Sequence, residues 1–429
     1  MSQLIINGGK PLKGTFTPVA NKNSILALIP ATILTDEEIT FHNVPATTDV
    51  KAMCVMLKKI GAQVEFLNGG KTLKINCKDV NSWTLDEELS QSIKASTMIM
   101  GPLLTRFGKA EMPIPGGCKL GTRPLDSLIE NMVELGADWK RNKGYFLEAK
   151  ELKGKEIWSW FPSVTGTENL ILMAVKTPGK TVLYNAACEP HVQDLCNMLV
   201  KMGAKINGIG TNRVEVEGVE KLNGVEWTVQ PDHLEVGGFI AAAVMTNSEL
   251  TIENAGVEHM GIILQVFEKL GVKVRIDKEN NSIFVPKDQD LEISRTVRGD
   301  ILDIKPFAWP LYPPDLIHVA VVLGLYSKGS AIFHNSFYEY GFFFIEELAK
   351  MKATTVMADP HRIITFGPTK FQPANLIAPN IIQAAYALFL CALSAEGKTV
   401  LKNADSLFRR YGDIIEKFKA LGADIRIEE

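Results

Sequence analysis

The chain is short of the features that would commit it to a specialised class. Its six cysteines (Cys54, Cys77, Cys118, Cys188, Cys196 and Cys391) are scattered over 429 residues. None stands in a C-x-x-C spacing, which argues against a disulfide framework or a zinc ribbon. Such sparse thiol usage fits a reducing, cytoplasmic setting. The seven histidines show no H-E-x-x-H or related spacing, so neither a metal nor a cofactor is expected. Neither sign of charge dominates: the net charge is −3, which argues against non-specific nucleic-acid binding. Long apolar runs are missing as well. The stretch from Phe239 to Met245 falls far short of a membrane span. The start, Met1-Ser2-Gln3-Leu4-Ile5, has no basic segment ahead of an apolar one, so no signal peptide is expected. No low-complexity tract occurs, and nothing in the sequence calls for an obligate protein partner.

What remains is an ordinary globular composition, 46% apolar and 22% charged, in a chain long enough for two or three domains. Its organisation lies in an internal repeat. An amphipathic helix ends in a Gly-Ala signal and runs into a strand at Gly61-Ala62, Gly136-Ala137, Gly203-Ala204 and Gly422-Ala423, with variants at Gly271-Val272 and Lys352-Ala353. Glycine suits the left-handed residue that closes a helix. A short strand ending in asparagine precedes five of the helices, at Asn43, Asn185, Asn254, Asn335 and Asn403. The spacing from each asparagine to the following glycine slot is 17 to 19 residues, room for a loop and about three helical turns. Six such units, three per half, predict two similar domains of mixed α/β (α+β) structure. The hinge is expected near Val229-Gln230-Pro231-Asp232.

The second unit breaks the pattern. Ile114 takes the asparagine slot, and 22 residues separate it from Gly136. The surplus falls on Pro115-Gly116-Gly117-Cys118-Lys119-Leu120-Gly121-Thr122-Arg123-Pro124-Leu125-Asp126. Irregular loops on a regular scaffold are where function concentrates. This one holds a cysteine among glycines and beside two cations, which favour the reactive thiolate. Taken alone, it also reads as a surface turn that happens to hold a cysteine.

Several segments together resemble the enolpyruvyl transferases along the whole chain. They are Ala20-Asn21-Lys22-Asn23, Gly116-Gly117-Cys118, Arg123-Pro124-Leu125-Asp126, Ser163-Val164-Thr165-Gly166-Thr167-Glu168-Asn169, Asn185-Ala186-Ala187-Cys188-Glu189-Pro190, Pro231-Asp232-His233-Leu234-Glu235, Pro314-Asp315-Leu316 and Arg409-Arg410-Tyr411. The Gly-Gly-Cys loop and the uridine-site segments set the chain nearer the branch that uses UDP-N-acetylglucosamine than the shikimate-using branch. The resemblance implies an inverse α/β barrel: two domains, each of three βαβαββ units around buried helices. One domain would span 22–230. The other would span 1–21 and 231–429, with a cleft between them closing on substrate. It implies transfer of the enolpyruvyl group of phosphoenolpyruvate to the 3-hydroxyl of UDP-N-acetylglucosamine, for peptidoglycan synthesis.

The same resemblance assigns residue roles. Cys118 would donate a proton to the methylene carbon of phosphoenolpyruvate and form a thioether with it. Lys22 would contact phosphoenolpyruvate, although a lysine at a helix start is more often solvated. Asp315 would take the proton from the sugar hydroxyl, although its position also suits a helix N-cap. Arg123 and Arg409 would bind anionic groups, Asn23 the sugar, and Pro124, Leu125, Asp126, Ser163 and Val164 the uridine diphosphate. Lys94 and Phe337 complete the expected substrate-binding set. Glu189, Asp232 and Glu235 read as supporting residues.

Five positions depart from the family's pattern. Lys94 stands for an arginine, Phe161 for a basic residue, Gly341 and Gln383 for arginines, and Pro314 for a threonine. Two alternatives follow: an enolpyruvyl transferase with another nucleotide or sugar acceptor, or a non-catalytic paralog that binds a UDP-sugar.

Overall fold

The computed structural model describes residues 3–116, 125–141, 144–338, 341–408 and 412–428. The chain divides into two compact units. One takes Met1–Pro18 and Pro231–Glu429, and the other takes its body from Val19 to Gln230.

Among the described residues the strands form five four-stranded sheets and one of three strands. The repeat explains their common plan. Strand Ile39–His42 pairs antiparallel with Thr72–Asn76 and parallel with Glu226–Thr228, and Gln63–Leu67 forms the far edge. The same pattern recurs around the strands Lys180–Tyr184, Glu249–Ile252, Gly329–His334 and Gly397–Lys402. In the last of these the antiparallel partner comes from the other end of the chain. Gln3–Gly8 lies between Gly397–Lys402 and Asp424–Glu428. The three-stranded sheet belongs to the irregular second unit. Lys109–Pro113, Gly144–Glu148 and Asp138–Arg141 pair there, and the parallel edge shrinks to one bridge between Thr84 and Glu111.

The turn chemistry of the repeat is realised in the backbone. Asn43, Asn185, Asn254 and Asn403 all take left-handed conformations, with φ of 58°, 59°, 49° and 58°. Asparagine tolerates this region better than residues with larger side chains. The glycine slots behave likewise: φ is 108° at Gly61, 116° at Gly136, 107° at Gly203, 91° at Gly271 and 97° at Gly422. Lys352, in the glycine slot of the fifth unit, still adopts φ 68°. The fold therefore imposes the turn where the residue does not favour it. Two details differ from expectation. Asn335 does not share the left-handed turn; its side-chain oxygen instead accepts from the backbone N–H groups of Phe337 and Tyr338. After Gly271 the strand begins only at Arg275.

Each unit is built around helices that are mostly buried along their length. In one they are Lys22–Ala31, Met100–Phe107 and Val164–Ala174; in the other, His233–Met245, Ile317–Tyr326 and Ile382–Ser394. Every residue of His233–Met245 is buried. A helix without a polar face can only be stable inside, so the sheets and amphipathic helices lie outside it. This is the inverse α/β arrangement. Strand Lys13–Phe16 contributes to the core of its unit: Phe16 stacks on Phe239 at 3.6 Å, and Phe239 on Phe418 at 4.5 Å. No helix among the described residues is long and apolar enough to cross a membrane.

Replacing Lys352 by glycine should raise stability by about 1 kcal/mol, because the left-handed strain outweighs the added freedom of the unfolded chain. A denaturant midpoint that stays or falls in Lys352→Gly would show that the turn is unstrained.

Candidate active site

Among the described residues, Lys22, Asn23, Lys94, Ser163, Val164 and Asp315 lie at or just before the N-terminal ends of the buried helices. Asn21 caps Lys22–Ala31: its Oδ1 accepts from the N–H groups of Asn23 and Ser24 at 2.8 and 3.1 Å. Its own N–H donates to the Gln230 carbonyl. Lys22, the first helical residue, is not a solvated lysine. Its Nζ lies 2.7 Å from Asp49 Oδ2, with side-chain exposures of 14% and 12%. Lys94 is half-buried and opens the short turn Lys94–Ile99 that leads into Met100–Phe107.

Two other segments of this unit, distant in sequence, meet through hydrogen bonds. Asp126 opens helix Asp126–Glu134 just after the buried Leu125. Ser163 caps Val164–Ala174 by accepting from the Gly166 N–H at 3.1 Å. Ser127 Oγ is 3.0 Å from Ser159 Oγ, which also receives Asn131 Nδ2 and reaches the Phe161 carbonyl. The Ser163 N–H donates to that same carbonyl. Beside this junction Trp160 is 63% exposed, with its indole N–H donated to Glu130. Phe161, half-buried, offers a ring where the resemblance expects a cation.

In the other unit, Asp315 is not a helix N-cap. It is the second residue of the turn Pro314–Leu316, which Pro313 caps and which leads into Ile317–Tyr326. Its carboxylate is engaged by side chains instead. Oδ1 accepts from Gln383 Nε2 at 2.7 Å and from the Tyr338 hydroxyl at 3.1 Å. Gln383 is the second residue of Ile382–Ser394, so two helix starts meet at this carboxylate. Leu316 also lies against Gly237, near the start of His233–Met245. Phe337 packs edge-on against Phe307 and Tyr338. His318, wholly buried, donates from Nε2 to the Gly341 carbonyl at 2.6 Å, and burial pushes its pKa down to about 4.

The supporting acids have distinct partners. Asp232 caps His233–Met245 by accepting from the Leu234 N–H. Glu235, whose side chain is wholly buried, pairs with Lys417 at 2.6 Å. Burial, with the nearby charge of Glu189, pushes the Glu168 carboxyl well above the usual range. Burial likewise raises Asp194 to about 6, against opposing hydrogen bonds from Ser24 and Trp227.

Five cysteines lie among the described residues, all buried and all as thiols. Burial pushes Cys54 and Cys196 up to about 12 and Cys77 and Cys188 up to about 11, and holds Cys391 well above the usual thiol range. None of these is a ready nucleophile. Cys118, Arg123, Pro124 and Arg409 lie outside the described residues. The approach to Cys118 is fixed at Gly116: its N–H donates to the Ser90 carbonyl, and a Cβ there would sit 1.6 Å from the Gln91 carbonyl oxygen.

The family model for EPSP synthase (3-phosphoshikimate 1-carboxyvinyltransferase) matches residues 6–418. The chain belongs to the EPSP synthase family. Within the family, this chain is 39% identical over 424 residues to the UDP-N-acetylglucosamine 1-carboxyvinyltransferase of Bradyrhizobium diazoefficiens, covering 99% of this chain and 97% of the relative. It is 38% identical over 435 residues to the protein of the same name from Bacteroides thetaiotaomicron, covering 99% of each. The enolpyruvyl transferase NikO from Streptomyces tendae shares the fold, with a TM-score of 0.87 at 23% identity over 99% of this chain and 98% of that one. An EPSP synthase from Acinetobacter baumannii does so with a TM-score of 0.77 at 15% identity, covering all of both chains.

Two partners in this family member escape sequence reading. Asp49 lies 27 residues from Lys22 and reads as an ordinary first-turn acid of helix Thr48–Lys59. Tyr338 is overshadowed by its neighbour Phe337, and its reach to Asp315 depends on the turn that Asn335 sets. The buried Glu235–Lys417 pair gives a stability test. Lys417→Met strands a buried carboxylate and should cost about 3–5 kcal/mol. Adding Glu235→Gln should recover part of that loss in urea denaturation, and a double variant as unstable as the single one would argue against the pairing.

Proposed function

We propose that this chain transfers the enolpyruvyl group of phosphoenolpyruvate to the 3-hydroxyl of UDP-N-acetylglucosamine with release of phosphate. The carrying observation is full-length similarity to relatives named for that reaction. The reading places the enzyme in the cytoplasm, at the first committed step of peptidoglycan precursor synthesis, and so in the service of cell-wall growth and cell division. The two compact units would then be its two enolpyruvyl-transferase domains.

The chemistry asks for four things, and the site residues answer each. Asp315 removes the proton of the sugar hydroxyl as its oxygen attacks C2 of phosphoenolpyruvate. Cys118 gives a proton to C3, turning the methylene into a methyl. Loss of phosphate from C2 and return of a methyl proton to the Cys118 thiolate then restore the double bond. Both substrates are anionic, and helix N-termini carry partial positive charge and unpaired N–H donors. The starts of Lys22–Ala31, Lys94–Ile99 and Val164–Ala174 supply such groups. Lys22, Lys94, Arg123 and Arg409 add full charges. Asn23 serves the sugar. Pro124, Leu125, Asp126, Ser163 and Val164 hold the uridine diphosphate, a role supported by the hydrogen bonds that join segments 125–131 and 159–163. Phe337 lines the same region as Asp315.

A specific observation favours a second reading, in which the acceptor is a different nucleotide or sugar. Phe161 puts a ring where a cation is expected. At Gly341 a Cβ would meet Asn335 Nδ2 at 2.3 Å, so a longer residue there requires the Asn335 amide to move.

Phosphate release from phosphoenolpyruvate with UDP-N-acetylglucosamine tests the proposal. Turnover with another acceptor but not this one would establish the second reading. Asp315→Asn should lower kcat at least about 100-fold, the range for a lost general base. The thiol has its own test. Native alkylation or fosfomycin treatment should modify one cysteine, and Cys118→Ala should abolish it. Labelling that survives in Cys118→Ala would reject Cys118 as the reactive thiol.

A further inference from the structure

Asp315 is held in a way that binding alone does not require. Two uncharged donors, from separate elements, converge on the same carboxylate oxygen. Gln383 Nε2 reaches Oδ1 at 2.7 Å from the start of Ile382–Ser394, and the Tyr338 hydroxyl reaches it at 3.1 Å from the loop after Gly329–His334. Both donors are themselves fixed. Gln383 is anchored by a helix buried along most of its length. Tyr338 is anchored by Asn335, whose Oδ1 accepts from the N–H groups of Phe337 and Tyr338 at 3.1 and 3.2 Å. Asn335 is in turn tied to the neighbouring strand turn, donating its N–H to the His361 carbonyl and accepting from His361 Nδ1.

A carboxylate on a short side chain can rotate about two bonds, and a base must present one oxygen along the hydroxyl's O–H direction. Two donors on one oxygen fix that rotation. We propose that Gln383 and Tyr338 are positioning residues that lock the Asp315 carboxylate in its proton-accepting orientation, through neutral donors that add no charge at the site. The inference rests on the reading of Asp315 as the general base. It gives Gln383 a task in its own right, where the family resemblance alone registers a missing arginine.

The test is a set of variants in the full chain, assayed by phosphate release. Gln383→Met keeps size and removes the donor; Tyr338→Phe removes one oxygen atom. Each should lower kcat about tenfold, the rate equivalent of one hydrogen bond of ordinary net strength. KM for both substrates and the thermal midpoint should change little. A residue with a merely structural role would move the midpoint and both kinetic constants together. On the residual activity of Asp315→Ala, Gln383→Met should cost nothing more, because the group it positions is gone. Wild-type kcat in both Gln383→Met and Tyr338→Phe would overturn the proposal. So would an undiminished Gln383→Met effect in the Asp315→Ala background. Wild-type kcat in Asp315→Ala would instead overturn the base assignment itself, which keeps the two failures distinct.

Discussion

A helix buried along most of its length meets polar chemistry chiefly at its ends, and this constraint shapes the molecule. Three such helices run through each unit. Their flanks admit few ionisable groups, such as Glu168 and the Glu235 that pairs with Lys417, and each start leaves N–H groups without intrahelical partners. Side chains must serve these ends. Asn21, Ser163 and Asp232 do so as caps, each accepting from backbone N–H groups. Lys22, Lys94, Asp315 and Gln383 sit within the first turns that follow. Stability and function therefore draw on the same few positions. The partial positive charge at those ends also suits a site for doubly anionic substrates.

The scaffold around the helices was legible because its signals are local. A left-handed turn needs asparagine or glycine at one position, whatever lies elsewhere in the chain. Four asparagines and five glycines in the repeat meet that need. The spacing between them fixes helix length, and alternation fixes the strands. Lys352 shows how far the plan outweighs the residue, since it holds φ 68° without the usual side chain. Asn335 shows the limit of such reading. The same residue in the same slot uses its side-chain oxygen to accept from the N–H groups of Phe337 and Tyr338. The loop it shapes there delivers Tyr338 to Asp315, a contact between residues 23 apart in the chain.

The site was legible in its residue types but not in its pairings. Lys22 was visible as a basic residue at a helix start, but its partner Asp49 comes from a separate helix. Asp315 was visible as an acid behind two prolines, and its position suited a cap. The structure instead turns its carboxylate toward Gln383 and Tyr338, because Pro313 occupies the cap position. Such contacts depend on how sheets pack around helices, which no single window of sequence records. Burial adds a second kind of information. The five described cysteines look alike in composition, and desolvation alone shows that none of them is a ready thiolate.

Two of the departures from the family's pattern, Gly341 and Gln383, are joined through packing. Gly341 is held from two sides. Its carbonyl receives the Nε2–H of a buried, neutral His318, and its missing Cβ makes room for the Asn335 amide. Asn335, placed there, sets the turn that carries Tyr338. Tyr338 then shares Asp315 with Gln383, the other position where an arginine is expected. The two absent cations are thus linked through one chain of contacts: Gly341 to Asn335, Asn335 to Tyr338, and Tyr338 to Asp315 and Gln383. A side chain at 341 would require the Asn335 amide to move, and an arginine at 383 would put a charged donor in place of a neutral amide beside the carboxylate. Gln383 and Tyr338, from separate elements, thus bring two neutral hydrogen bonds to one oxygen of the same acid.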